Sequence, residues 1–185
     1  AEVGAWLEGR DARLVVDAVH YAPHRLPDAA AWRADAVAFS PYKVVAPHLG
    51  ALWIAEDWRA ALPDWGLSFL PVGPLRWEPG TQNHEAIVAF GAALDHLAWI
   101  GTLAGAPEDA PDRERWAAAF AAIERRETGL CERLLDGLDA LGATRVGRPG
   151  CEGRTATVAF TVPWGSAVDV AARLGRRSIA VTAGH

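Results

Sequence analysis

Leu14-Val15-Val16-Asp17-Ala18-Val19-His20-Tyr21-Ala22-Pro23-His24 and, further on, Ala36-Val37-Ala38-Phe39-Ser40-Pro41-Tyr42-Lys43 decide how this chain is read. Each is a short apolar run that stops at polar side chains, the first at Asp17 and the second at Ser40. Runs rich in Val and Phe read as buried strands, and in open α/β sheets ligands gather beyond the carboxyl ends of such strands. The two segments therefore bring an acid, Asp17, and an amine, Lys43, to one rim. Taken singly, an Asp at a strand end is more often a turn or cap former, and a Lys a solvated charge.

Outward from these segments, apolar runs alternate with helical periodicity. Ala1 to Leu7 reads as the end of a helix, Leu14 to Val16 as the first strand and Pro27 to Arg33 as a short helix with Pro27 near its first turn. Strands at Ala36–Phe39 and Gly50–Ile54 and a short helix over Glu56–Leu62 follow. This β-α-β-loop-β order predicts a mainly parallel sheet covered on both faces. Pro63 to Gly80, punctuated by proline and glycine, reads as a functional loop. Two long helices come next. One runs from Asn83 to Leu103 with the stripe Ile87, Phe90, Leu94, Leu97 and Ile100; the other runs from Asp112 to Leu141 with Trp116, Phe120, Ile123, Leu130, Leu134, Leu138 and Leu141, and ends at Gly142. Thr155–Val162 then reads as a strand, Ser166–Leu174 as a helix capped by Ser166, and Ser178–Val181 as another strand, so a second, smaller α/β unit begins near Gly142.

Composition excludes several function classes. A net charge of −5 without clustered Lys and Arg argues against a nucleic-acid or anionic-membrane partner. Pro and charged residues are expected to interrupt every apolar stretch short of bilayer length. Two cysteines, Cys131 and Cys151, make neither a disulfide framework nor a zinc set, so no metal is expected and the setting fits a reducing cytoplasm. Of nine tryptophans, Trp53, Trp65 and Trp77 are candidates for lining a pocket or a dimer interface.

A carboxylate able to hold a protonated ring nitrogen, beside a lysine able to form an imine, is the pairing that pyridoxal phosphate (PLP) chemistry requires. The same residues resemble the class V aminotransferase family, in particular its cysteine desulfurase-like branch, over nearly the whole chain. The resemblance implies a fold-type I PLP-dependent α/β architecture. Residues 1–105 would be part of the large domain, 106–141 a connecting long helix and 142–185 an incomplete small domain. In the family's first motif an Asp is followed three positions on by Gln or His and then by Pro-His. Asp17 matches the residue on the pyridine nitrogen, and His20 the contact to the ring's phenolic oxygen. The second motif resembles Ser-x-His-Lys: Ser40 matches a phosphate-binding hydroxyl and Lys43 the Schiff-base lysine, which also shuttles a proton at the substrate α-carbon. Tyr42 stands where desulfurases commonly carry histidine, leaving a phenol to contact phosphate. In Ala46-Pro47-His48-Leu49-Gly50, Ala46 replaces a glycine, so a left-handed turn there is expected to be strained.

The third match is Arg76-Trp77-Glu78-Pro79-Gly80-Thr81-Gln82-Asn83, in which Thr81 would reach the phosphate of a neighbouring subunit and so imply a homodimer; without that resemblance Gly80-Thr81 would read as a helix cap. Toward His185, Thr182 takes the place of a family arginine. Neither Cys131 nor Cys151 matches the desulfurase nucleophile. These features imply a piece of a longer enzyme acting on a small amino acid, inactive in isolation. Amino transfer, epimerisation, a kynureninase-like cleavage or a non-catalytic homologue are the alternatives.

Overall fold

The computed structural model describes residues 1–63, 66–69 and 77–184. Trp65, Arg76, His185 and half of the expected 63–80 loop lie outside the described residues. Two units divide the chain, Ala1–Ala122 and Ile123–His185.

In the first unit, β1 (Val15–Asp17), β2 (Ala36–Phe39) and β3 (Ala51–Ile54) form one sheet in the order β1-β2-β3. β1 and β2 run parallel, with Val15 opposite Ala36 and Asp17 opposite Ala38. A parallel return needs a crossover, and residues 18–35 supply one through α2 (Ala29–Trp32). Asp28 caps that helix by accepting the Ala31 N–H at 2.9 Å. β3, however, returns antiparallel to β2, pairing Phe39 with Ala51 and Ala36 with Ile54. The expectation of a mainly parallel sheet is corrected here: residues 40–50 hold only a 3-10 turn at Pro41–Val44, with no crossover helix to carry the chain back to the other edge. Nor is β3 covered on both faces, since Leu52 and Trp53 are exposed.

Asp35 fixes the register at the opposite end of the strands. Its carboxylate accepts the Leu14 N–H at 2.7 Å and the Arg13 guanidinium at 2.8 Å. The N–H groups of Asp35 and Ala36 both donate to Leu14 O, and Asp35 O accepts the Ala55 N–H at 2.8 Å. All three strands are thus tied to one residue. Beside them, Ala18, Ala34 and Val37 form a small core against Leu14, Val16, Tyr21, Trp32 and Phe39, with Tyr21 and Trp32 edge to face at 4.9 Å.

α1 (Glu2–Leu7) precedes the sheet and α3 (Glu56–Ala61) follows it. α4 (His84–Leu103) is capped by Asn83, which accepts the Ala86 N–H at 3.0 Å, so Thr81 is not the cap. The expected stripe shifts: Ile87 is exposed, and the buried positions are Ala86, Ala93, Leu97, Ala98 and Gly101. Small residues face α5 (Asp112–Ala140) because the two backbones approach closely. A Cβ on Gly101 would sit 1.9 Å from Arg115 O, and the Trp116 indole donates to Leu94 O at 2.9 Å. By length and composition α4 could cross a membrane, contrary to the expectation that every such stretch is interrupted. Between Ala86 and Leu103 it carries one charged residue, Asp95, and its Ala, Leu and Ile content does the rest.

In the second unit, Cys131, Leu135 and Leu138 are the buried face of α5, while Leu130, Leu134 and Leu141 of the expected stripe are exposed. Gly142, at φ 66°, ends the helix as expected, with the Ala143 N–H reaching Leu138 O. β4 (Thr144–Val146), which the sequence reading missed, pairs antiparallel with β5 (Ala159–Thr161). β5 is shorter than the expected Thr155–Val162 strand because Thr157 O is taken by the Arg154 guanidinium at 2.6 Å. α6 (Ala167–Gly175) is capped by Ser166 as expected. No strand forms over Ser178–Val181: the Ser178 and Ile179 N–H groups close the end of α6 onto Gly175 O and Leu174 O.

Two measurements test this account. Gly101→Ala should lower stability by about 1–3 kcal/mol through overpacking, whereas Gly91→Ala, with open space around it, should be neutral or stabilising; thermal unfolding of both variants decides. Asp35 supplies the second. Desolvation alone would raise its carboxyl, but the Leu14 N–H and then Arg13 outweigh it and hold it below the ordinary carboxylate range. A lowered folded pKa stabilises above the unfolded value and is lost as pH falls through the folded one. Asp35→Asn should therefore cost about 1 kcal/mol at pH 7, and urea titrations should show the gap to wild type closing below about pH 4.

Candidate active site

The parallel register of β1 and β2 carries the site. Because Asp17 lies opposite Ala38, the residues after Phe39 start two positions beyond the acid, on the same carboxyl-end rim. Asp17 is the last residue of β1 rather than the first after it. Its Oδ1 accepts the Val19 N–H at 2.9 Å, a short Asx turn that sets the carboxylate at the rim, and the ladder continues with Ala18 N–H on Ala38 O. Among the described residues Oδ2 takes no hydrogen bond. His20 follows in the turn and is exposed.

Ser40 and Lys43 enclose the 3-10 turn, in which Pro41 is buried and the Lys43 N–H donates to Ser40 O at 3.0 Å. Ser40 Oγ makes no capping bond. Lys43 is half-buried; its Nζ lies 5.8 Å from the Tyr42 ring centre and makes no ion pair among the described residues. Tyr42 in turn stacks on His48 at 4.6 Å, so an imidazole flanks the phenol that stands in histidine's place. The left-handed residue of this connection is Val45, at φ 55°, not Ala46. For a β-branched side chain that backbone is costly, on the order of 1–2 kcal/mol, and it turns the chain back toward β3.

Thr81 does not join this rim through any hydrogen bond among the described residues; it is exposed ahead of the Asn83 cap. Trp77 is exposed as well. Trp53 lines an open cavity of about 500 Å³ with Val37, Phe39, Asp28 and Arg113, the last two paired at 3.0 Å. The cysteines are not poised nucleophiles. Cys131 is buried in α5, and the Cys151 thiol is pushed up to about 11, first by the Cys131 side chain and then by burial.

One signal was overlooked in the motifs. Lys43 is the only lysine of the chain; every other Lys or Arg position holds arginine. A guanidinium does not give up its proton and makes no imine, whereas an amine does both.

Comparison with known proteins gives the family. The model of the class V aminotransferases matches residues 1–108. This chain belongs to that family. It is 28% identical over 199 residues to a cysteine desulfurase of Enterobacter sp. (strain 638), covering 100% of this chain and 44% of the relative. It is 45% identical over 155 residues to the aminotransferase-like protein FGM3 of Gibberella zeae, over 82% of this chain and 35% of that protein. The apo structure of a cysteine desulfurase from Thermococcus onnurineus NA1 superposes with a TM-score of 0.81 at 27% identity, over all of this chain and 45% of that one. The chain thus spans less than half the length of these relatives. The fold is that of fold-type I PLP enzymes, and the chain falls in the desulfurase-like branch of a PLP-dependent family.

If Lys43 is the reactive amine, incubation with PLP and borohydride should place a pyridoxyl label on the peptide carrying Lys43, and Lys43→Arg should abolish it while keeping the charge. Mass mapping reads this directly, the Ala1 amine being the only competing site in the chain. A label confined to Ala1 would remove Lys43 from the site.

Proposed function

We propose that this chain supplies the anchoring lysine and the ring-nitrogen acid of a PLP-dependent enzyme acting on a small amino acid, with cysteine desulfuration as the favoured reaction. The observation that carries the reading is a sole lysine held on the same rim as Asp17 by the β1–β2 register. The donor set fits the cofactor. Lys43 would hold it covalently through Nζ, Asp17 Oδ2 would face the protonated ring nitrogen, and Ser40 Oγ with Tyr42 would face its phosphate. His20 would contact the phenolic oxygen.

When bound, PLP supplies an electron sink for the pair left when a bond to the substrate α-carbon breaks. Asp17 keeps a proton on the ring nitrogen, its position fixed by the Val19 N–H. The Lys43 amine would move a proton at the substrate α-carbon. His20 donates to the phenolic oxygen while its ring carries the proton on the facing nitrogen. Thr81 would serve a neighbouring subunit, which makes the working enzyme a homodimer. Residues 1–105 form part of the cofactor-binding domain in this reading, 106–141 a connection and 142–185 part of the small domain. Activity belongs to the full-length enzyme, of which the chain spans under half on the scale of its relatives.

A second class V reaction, such as amino transfer, is favoured by the 45% identity to an aminotransferase-like protein and by Thr182 and Tyr42 standing where desulfurases carry arginine and histidine. Sulfide release from cysteine, measured beside keto-acid formation from other amino acids, separates the two. In the full-length enzyme Asp17→Ala should retain part of the cofactor but lower turnover by about 100-fold, the scale of losing one preorganised charge at the reacting centre. Unchanged turnover would make Asp17 a turn former only.

A further inference from the structure

Residues 40–50, which join β2 to β3, gather Lys43, Tyr42 and His48 at one point of the rim. The His48 imidazole stacks on the Tyr42 ring at 4.6 Å with 14° between the planes, and Lys43 Nζ lies over the same ring, 5.8 Å from its centre. The backbone enforces the stack. Pro41 is buried, its carbonyl accepts the Val45 and Ala46 N–H groups, the latter at 3.3 Å, and Val45 turns left-handed at φ 55°. That reversal carries His48 back beside Tyr42 before Ala51 pairs with Phe39. Val45 is 68% exposed, so burial of its own side chain does not offset the strain. Strain of this kind clusters at sites of function.

Lys43 has no ion pair among the described residues to direct its amine, so the amine takes its bearing from the Tyr42 ring. Tyr42 is itself 43% exposed, and packing alone does not hold it. A ring without the stack would turn about its side-chain bonds and carry the amine's preferred place with it; stacked on His48, it keeps one orientation. We infer that His48 is a positioning residue of the site: by stacking on Tyr42 it fixes the ring over which the Lys43 amine is held, and so sets where that amine meets an aldehyde. The inference deepens the reading of Lys43 as the reactive amine and rests on it. His48 acts through Tyr42, by the flat face of its ring, so another flat ring can replace it and a methyl group cannot.

Two readouts on the full chain test this. His48 is exposed, so its substitutions leave the fold intact, which thermal unfolding checks. In the first readout, lysine isotopically labelled at its ε carbon gives a single magnetic-resonance signal, since Lys43 is the only lysine. The Tyr42 ring displaces that signal from the position of an unstructured lysine, and no cofactor is needed to see it. His48→Ala should bring the signal at least halfway back, whereas His48→Phe, which keeps a stacked ring, should leave it in place. In the second readout, PLP and borohydride label Lys43, with the Ala1 amine as the reference within the same molecule. His48→Ala should lower the ratio of Lys43 to Ala1 label about fivefold, the scale of one aromatic pair. His48→Phe should match the wild type, and in a Tyr42→Leu background His48→Ala should cost nothing further. A Lys43 signal unmoved by His48→Ala, an equal labelling loss in His48→Phe, or a His48→Ala loss that persists without Tyr42 would each overturn the role of His48. Absence of label on Lys43 in the wild-type chain would instead remove Lys43 as the reactive amine, and the displaced signal would still decide whether His48 fixes its place.

Discussion

One carboxylate sets the frame on which the rest of the first unit depends. Asp35 takes the Leu14 N–H and Arg13 on its side chain, sends its own N–H to Leu14 O, and receives the Ala55 N–H on its carbonyl. Strand side chains alternate between faces, so a slip of one residue between β1 and β2 would turn Val37 out of the core and change which residue stands beside Asp17. The core itself is small and rich in alanine, giving little apolar area to penalise such a slip. Register here rests on polar clamping more than on packing, and the cost of leaving those partly buried backbone groups unpaired is what enforces it.

From that end of the strands the consequences run to the other. With Asp17 opposite Ala38, the acid and the Ser40–Lys43 turn are delivered together, and each is then shaped locally. An Asx turn orients Asp17, while a 3-10 turn with buried Pro41 sets Lys43. Val45 absorbs the reversal that antiparallel β3 demands, and a strained residue two positions from the proposed reactive amine is kept because both flanking strands over-determine the path.

The strand segments around the site were legible because their chemistry is local. Ala36–Phe39 is a strand with the bounds its apolar run suggests, and the Asp17 and Lys43 segments reach one rim as their strand-end positions imply. The sense of β3 was not legible, since Ala51–Ile54 has the same apolar texture whichever way it pairs; what decides is the lack of a helix between Ser40 and Gly50. Along α4 and α5, periodicity gave the helices but not the buried face: close packing on α4 favours Ala86, Ala93 and Gly101 over the larger Ile87, and on α5 the face that is buried carries Cys131, Leu135 and Leu138 instead of Leu130 and Leu134. In the second unit, β-propensity at Thr155–Thr157 and Ser178–Val181 lost to competing partners: the Arg154 guanidinium in one case and the end of α6 in the other. The isolation of Lys43 among arginines was available from the letters alone and needed only a count.

The compact spacing of the three strands bears on the order in which this protein is built. Every pairing in the first sheet joins positions 21 or fewer apart, all within residues 15–54. Closing such loops is fast, and the entropy it costs grows only slowly with length. Synthesis from the amino end presents β1, β2 and β3 ahead of α4 and α5, so these three strands can pair while the long helices are still emerging. The rim bearing Asp17 and Lys43 is therefore a local structure, assembled by short-range pairing.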